Sequence, residues 1–182
     1  MKKQLSYKLA AAGVIGALYA GLTYLFAFSS FTANQLRVAE ALTLMPMLIP
    51  QASAGLAVGC FLANLISGYG VADLIVGPLA TLLAGFLTSR CKNYFFGAFW
   101  PVAINAVAIG SMITIISGVF SWTALLINMG QIALGQVTAC YALGIPLVYM
   151  LKRNKAFSKR FCPAAAPAPA SCAVNSETDK SR

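Results

Sequence analysis

Residues 9–31 have the sequence LAAAGVIGALYAGLTYLFAFSSF, which carries no charge and is long enough to cross the hydrocarbon core of a bilayer. The residues that follow are of the same kind, because hardly any charge interrupts the chain between Lys8 and Lys152. Of the 182 residues, 59% are hydrophobic and only 9% are charged, whereas a soluble domain uses about 25% charged residues. The sequence therefore predicts an all-α integral membrane protein.

The apolar region divides into six predicted helices, since each crossing needs about 20 residues and a turn. Proline, glycine and charged residues separate them at position 50 and at 67–70, 90–93 and 117–118. The six segments are 9–31, 36–49, 52–69, 72–89, 94–117 and 122–151. The second is short and contains Pro46, so we expect a six-helix bundle in which it is broken, tilted or deeply packed.

The basic residues indicate the orientation. Of the 13 Lys and Arg residues, all but Arg37 lie in residues 1–8, in the loop at 90–93 or in the tail from residue 152. Cytoplasmic segments are enriched in Lys and Arg, so both termini are expected in the cytoplasm. This placement also explains the net charge of +9 without nucleic acid as a partner.

Three parts follow from this pattern. Residues 1–8 form a basic amino-terminal tail, residues 9–151 form the membrane domain, and residues 152–182 form a second cytoplasmic tail. The last part is basic at first and then rich in Pro and Ala, a composition that cannot bury a core and predicts disorder.

Three ionised residues remain inside the membrane region: Arg37, Glu40 and Asp73. Charges at this depth are costly and usually face the bundle interior or a ligand. Arg37 and Glu40 share a helix face, and Asp73 opens the fourth segment from the same side, so we expect a pocket at the outer side. Two simpler interpretations stay open: an Arg37–Glu40 pair that only stabilises a short helix, and a helix cap at Asp73.

Uncharged amides extend the candidate site. They are Asn64, Asn105, Asn128 and Gln131. Asn128 and Gln131 share a face of the sixth segment, whereas Gln136 is rotated from Gln131 by roughly 140° at 100° per residue, so the three cannot all point into one pocket. Hydrogen bonding between helices is an equally simple role for each amide.

The first segment also has two neighbouring stripes of small residues. One is Ala12, Gly16 and Ala20, and the other is Gly13, Ala17 and Gly21. Such stripes let another helix approach closely. The partner is either a helix of the same bundle or a second subunit.

Several functional classes fit poorly. The chain has no histidine and no P-loop sequence, and it shows no Ser or Cys nucleophile beside a base, which argues against imidazole catalysis, ATP hydrolysis and hydrolase chemistry. We therefore expect a protein that is not an enzyme and that has neither a cofactor nor a metal. A channel or a structural scaffold remains as an alternative to a binding protein.

Four runs resemble the QueT-type family of queuosine-precursor transporters. They are QLRVAEALTLMP at 35–46, VGCFLANL at 58–65, DLIVGPLATLL at 73–83 and LGIPL at 143–147. The resemblance extends over residues 9–151. The first run, which joins an Arg and a Glu to a short helix, is the most specific.

The resemblance implies the substrate-binding component of an energy-coupling factor transporter in a prokaryotic plasma membrane. Its partners would be a transmembrane coupling subunit and two cytoplasmic ATPases. In that class a small-residue A-x-x-x-A motif on the first helix contacts the coupling subunit. The nearest matches here pair Ala12 with Gly16 and Gly13 with Ala17, and they leave open which stripe docks.

The implied cargo is a 7-deazaguanine such as preQ0 or preQ1, although the residues do not distinguish these from queuine, a nucleoside or another vitamin. Its guanine-like edge has neighbouring N–H donors, which a carboxylate accepts. By this chemistry Glu40 is the expected acceptor, with Asn64, Asn105 and Asp73 as supporting groups.

Overall fold

The computed structural model describes residues 2–26, 37–65, 70–118 and 121–154, together with residues 157 and 161, and side chains from residue 5 onwards. The described residues form helices and no strand, as expected. The predicted ends of the first and third segments, the start of the second and the predicted disorder of residues 162–182 lie outside these ranges.

Six helices follow one another in this part of the chain. They are α1 (Lys2–Leu25), the 3-10 helix η1 (Val38–Met47), α2 (Ala52–Asn64), α3 (Gly70–Arg90), α4 (Tyr94–Ile116) and α5 (Trp122–Arg153). Among them α1, α3, α4 and α5 are long and apolar enough to cross a membrane. The chain is thus a multi-pass membrane protein.

The predicted boundaries of α3, α4 and α5 differ from the structure by two residues or fewer. The start of α4 is fixed by Asn93, whose side-chain oxygen accepts a hydrogen bond from the Phe95 backbone N–H at 3.0 Å. The first helix instead begins at Lys2, ahead of residue 9. Lys, Gln and Leu favour helix, and no breaker precedes Leu9, so the polar flank continues the same helix.

The short second segment is buried, as its length and Pro46 suggested. Arg37 has an extended backbone, and η1 begins after it. A 3-10 helix rises about 2.0 Å per residue, so the 10 residues of η1 extend over only about 20 Å. Residues from Ala39 to Met47 are all buried, and η1 contacts α1, α3 and α5. Its side chains therefore form the centre of the molecule.

The long helix α5 changes geometry in its middle. Residues Thr138–Gly144 form a π-helical turn that packs against η1. Pro146 follows directly, and proline cannot donate the next backbone hydrogen bond of an α-helix. The wider turn keeps α5 continuous up to this proline and presents Cys140 to η1.

Close contact between α1 and α2 explains one of the two small-residue stripes. A side chain on Gly16 would overlap the backbone of Gly55, and a side chain on Gly59 would overlap the backbone of Gly16. Ala12 and Ala20 on the same stripe are also buried. The two helices thus pack backbone to backbone within the bundle.

Candidate binding site

The sequence-predicted charges meet at one end of η1. Arg37 donates to Asp73, with Nη2 at 3.4 Å from Oδ2, and the two side chains are 5% and 0% exposed. Asp73 lies within the first turn of α3. Within the described residues, therefore, the salt bridge of Arg37 joins η1 to α3 rather than joining Arg37 to Glu40 along the same helix.

Glu40 has two carboxylate oxygens in different surroundings. Oε1 accepts a hydrogen bond from the Tyr19 hydroxyl of α1 at 2.7 Å. Oε2 is buried and has no hydrogen-bond partner among the residues that the structure describes. The side chain as a whole is only 2% exposed. An unsatisfied buried acceptor is costly, so Oε2 is suited to bind a donor supplied by a ligand.

Asn64 is hydrogen-bonded to the backbone of Asp73, the acidic partner of the salt bridge. Its Nδ2 donates to the backbone oxygen of Asp73 at 2.8 Å and thereby fixes the start of α3 against the end of α2. Gly77, one turn further along α3, leaves space for this amide, since a side chain at Gly77 would overlap Nδ2. Asn64 therefore positions Asp73.

A cavity lies beside Glu40, whose oxygen Oε2 has no hydrogen-bond partner among the described residues. Its lining is Arg37, Glu40, Cys60, Gly77, Thr81, Asn105, Ile109, Ile132 and Gln136. The space between them is about 250 Å³ when its open mouth is included, and the enclosed part has room for about one water. A bicyclic base needs the surrounding side chains or helices to move apart.

The structure brings together five of the seven residues expected to bind substrate. Arg37, Glu40 and Asn105 line the cavity, Asp73 forms a salt bridge with Arg37, and Asn64 is hydrogen-bonded to the Asp73 backbone.

The other two are elsewhere. Asn128 donates from Nδ2 to the Thr114 hydroxyl at 3.0 Å and so joins α5 to α4, which is the interhelical role left open by the sequence. Gln131 is half-buried on α5 and does not line the cavity.

Four polar residues of the site were not among those expected. Cys60, Thr81 and Gln136 line the cavity, and Tyr19 holds Glu40. The sequence contained a signal for two of them. Helical spacing places Gln136 on a different face of its helix from Gln131. Tyr19 lies three residues after Gly16 and therefore shares a face of α1 with the buried stripe.

The second small-residue stripe of α1 faces outwards. Gly13, Ala17 and Gly21 are exposed. A side chain built on Gly13 or Gly21 would meet no atom of this chain within 4 Å. This outer stripe is accessible to another protein or to lipid, whereas the stripe of Ala12, Gly16 and Ala20 is already covered by α2.

Comparison with known proteins agrees with the membrane fold. The family model described as QueT transporter matches residues 9–153, almost the whole described helical region and most of the chain. No match was found among curated proteins or among solved structures. The resemblance found in the sequence is therefore confirmed, and this chain belongs to the QueT transporter family.

Proposed function

We propose that this chain is the substrate-capture component of an energy-coupling factor transporter and that it imports a queuosine precursor. Membership of the QueT transporter family supports a transport role. The observation that carries the proposal is the open oxygen of Glu40, which is buried beside a cavity lined by further polar groups. Such a group is suited to a cargo that brings its own N–H donors.

The proposed cargo is a 7-deazaguanine of the preQ0 or preQ1 type. Its pyrimidine ring presents N–H donors to Glu40, and Asn105 can both donate to it and accept from it. The Arg37–Asp73 salt bridge holds η1 against α3 and so keeps Glu40 in place. Because the cavity is narrow, binding requires the helices around it to separate.

We propose that the outer stripe of α1 contacts the transmembrane coupling subunit. Gly13, Ala17 and Gly21 allow a second helix to approach the α1 backbone, and nothing in the described chain covers them. ATP hydrolysis would then take place in two cytoplasmic subunits bound to that partner, so this chain needs no nucleotide site.

The proposed topology has six crossings with both termini in the cytoplasm of a prokaryotic cell. Four helices are long enough to cross alone. The shorter η1 would reach across as a buried segment and α2 as a helix with one buried face, both packed among the others. The distribution of Lys and Arg supports this orientation, with Arg37 on the outer side.

Uptake of radiolabelled preQ1 by cells that co-express the chain and a coupling module tests this function. We expect uptake that depends on the chain and that excess unlabelled 7-deazaguanine suppresses, while unrelated vitamins leave it unchanged. Suppression by an unrelated vitamin would instead indicate another cargo. A purified chain that gains no thermal stability from any of these ligands would favour a channel or a scaffold.

A further inference from the structure

The side-chain amide of Gln136 is held between two groups. On one side, the Cys140 thiol lies 3.7 Å from Gln136 Oε1 and can donate to it. On the other side, the Gln136 amide lines the same cavity as the Glu40 carboxylate. An ionised carboxylate only accepts hydrogen bonds, so this neighbour favours the NH₂ end of the amide. With Oε1 towards Cys140, Nε2 is the end of the amide that is left for the cavity.

The cavity consequently presents an acceptor beside a donor. The acceptor is Glu40 Oε2, which has no hydrogen-bond partner within the described chain, and the donor is Gln136 Nε2. Gln136 is only 5% exposed and Glu40 only 2%, so water does not readily replace either bond. The complement of this pair is an N–H group next to a C=O group, which is the edge of a lactam.

We infer that Glu40 and Gln136 together recognise the lactam edge of the base and that Gln136 makes the site selective for 6-oxo over 6-amino bases. This inference rests on the proposed function and specifies which atoms of the cargo are recognised. In a 6-amino base the ring nitrogen is an acceptor facing Oε2, and the amino group is a donor facing Nε2. Both contacts are then mismatched in a buried site, where unpaired polar groups are costly.

Isothermal titration of the purified full-length chain with two probes tests the inference. The probes are 7-deazaguanine and 2,6-diamino-7-deazapurine. The first has an oxo group at position 6 and an N–H at the adjacent ring nitrogen, and the second has an amino group at position 6 and an unprotonated ring nitrogen. We expect the unaltered chain to prefer the 6-oxo base by at least about tenfold. Equal affinities for the two bases would overturn the inference, and this comparison needs no variant that might fail to fold.

Two variants assign the selectivity to Gln136. Gln136→Leu and Gln136→Met remove the donor and keep much of the volume, so we expect weaker binding of the 6-oxo base, little change for the 6-amino base and a preference that is reduced but not lost. Some preference persists because Glu40 still accepts the ring N–H. The control is Thr138→Val, since the Thr138 hydroxyl is exposed and bonds to Leu134 of its own helix.

The outcomes separate this inference from the function on which it rests. If the 6-oxo base binds and a folded Gln136 variant keeps the full ratio, the inference is wrong and the proposed function stands. If the unaltered chain binds neither base, the proposed cargo is wrong, and the inference falls with it.

Discussion

The two carboxylate oxygens of Glu40 differ in their hydrogen bonding. The Tyr19 hydroxyl donates to Oε1, whereas Oε2 has no hydrogen-bond partner among the described residues, and Glu40 lines the cavity. The large majority of buried carboxylate oxygens in proteins have a hydrogen-bond partner. This difference between the two oxygens is the reason for assigning Glu40 to the ligand.

Replacing Glu40 by Gln tests that assignment. The variant keeps the shape of the side chain and removes its charge, so the charge-assisted bond to the ligand is lost, at a cost of about 1.5–3 kcal/mol. We expect the dissociation constant for preQ1 to rise roughly 10- to 100-fold in isothermal titration, while Thr138→Val leaves it unchanged. An unchanged affinity in a folded Glu40→Gln variant would remove Glu40 from the site.

Tyr19 gives a second prediction at this scale. Tyr19→Phe removes the hydroxyl that orients the Glu40 carboxylate and leaves Oε1 without this donor. We expect preQ1 affinity to fall roughly tenfold, because a hydrogen bond to a charged group contributes about 1.5–3 kcal/mol. The matched control is Tyr24→Phe. The Tyr24 hydroxyl lies at an exposed position on the same helix and donates to the Leu62 backbone. Equal losses in both variants would indicate a general effect on α1.

The salt bridge between Arg37 and Asp73 has a structural role that can be measured. Asp73→Asn leaves the Arg37 guanidinium buried without its carboxylate, and breaking a buried pair in this way costs about 3–5 kcal/mol. We expect a large drop in the thermal unfolding temperature in detergent. The double variant Arg37→Gln/Asp73→Asn should be more stable than Asp73→Asn alone, and a double variant that is less stable would contradict this account.

Much of the site was predictable at the level of single residues, for a physical reason. Ionised groups are costly in a membrane, so Arg37, Glu40 and Asp73 were conspicuous and were expected to meet. Tyr19 and Gln136 were less conspicuous. Tyrosine is common at membrane interfaces, and an amide can bond to any neighbouring helix, so neither residue type alone indicates a pocket.

At the scale of elements, α1 has two faces with different roles. The face of Gly16 lies directly on the α2 backbone, whereas Gly13 and Ala17 are exposed. The sequence showed both stripes but could not assign them, because the assignment depends on where α2 lies. The structure makes the inner stripe part of the bundle and leaves the outer stripe as the proposed docking surface.

Bulky residues on the two faces should therefore have different effects. Ala17→Leu adds volume on the outer face, so we expect preQ1 binding to persist while co-purification with the coupling subunit and transport are lost. Gly16→Leu forces α1 and α2 apart, so we expect lower thermal stability and weaker binding as well. The proposed docking surface would be wrong if Ala17→Leu supported normal transport.

The elements show where prediction from sequence ends. The short second segment followed from its length and Pro46, and the cluster at 90–93 marked the break before α4, where the structure shows Asn93 capping the helix. The 3-10 geometry of η1 and the π turn of α5 were not predicted. Both depend on packing between segments that are far apart in sequence, since η1 lies against the π turn and Gly144 contacts Leu44 and Ala41.

At the scale of the whole molecule, the prediction to be tested is that the chain crosses the membrane six times and has both termini in the cytoplasm. Epitope tags at both termini and in the loop at 90–93 should be inaccessible to protease in intact cells and accessible in inside-out vesicles, because nearly all Lys and Arg residues lie in these three regions. A tag at 118–121 serves as the opposite control. Termini on different sides of the membrane would exclude six crossings.

In the part of the chain that the structure describes, a cluster of polar side chains is buried within a bundle of apolar helices. Equilibrium binding of preQ1 to the purified full-length chain, followed by native mass spectrometry in a mixture with unrelated vitamins, tests this account most directly. The account predicts that the chain retains preQ1 selectively and that Glu40→Gln retains much less of it. Retention of a different vitamin, or equal retention of preQ1 by the folded Glu40→Gln variant, would contradict it.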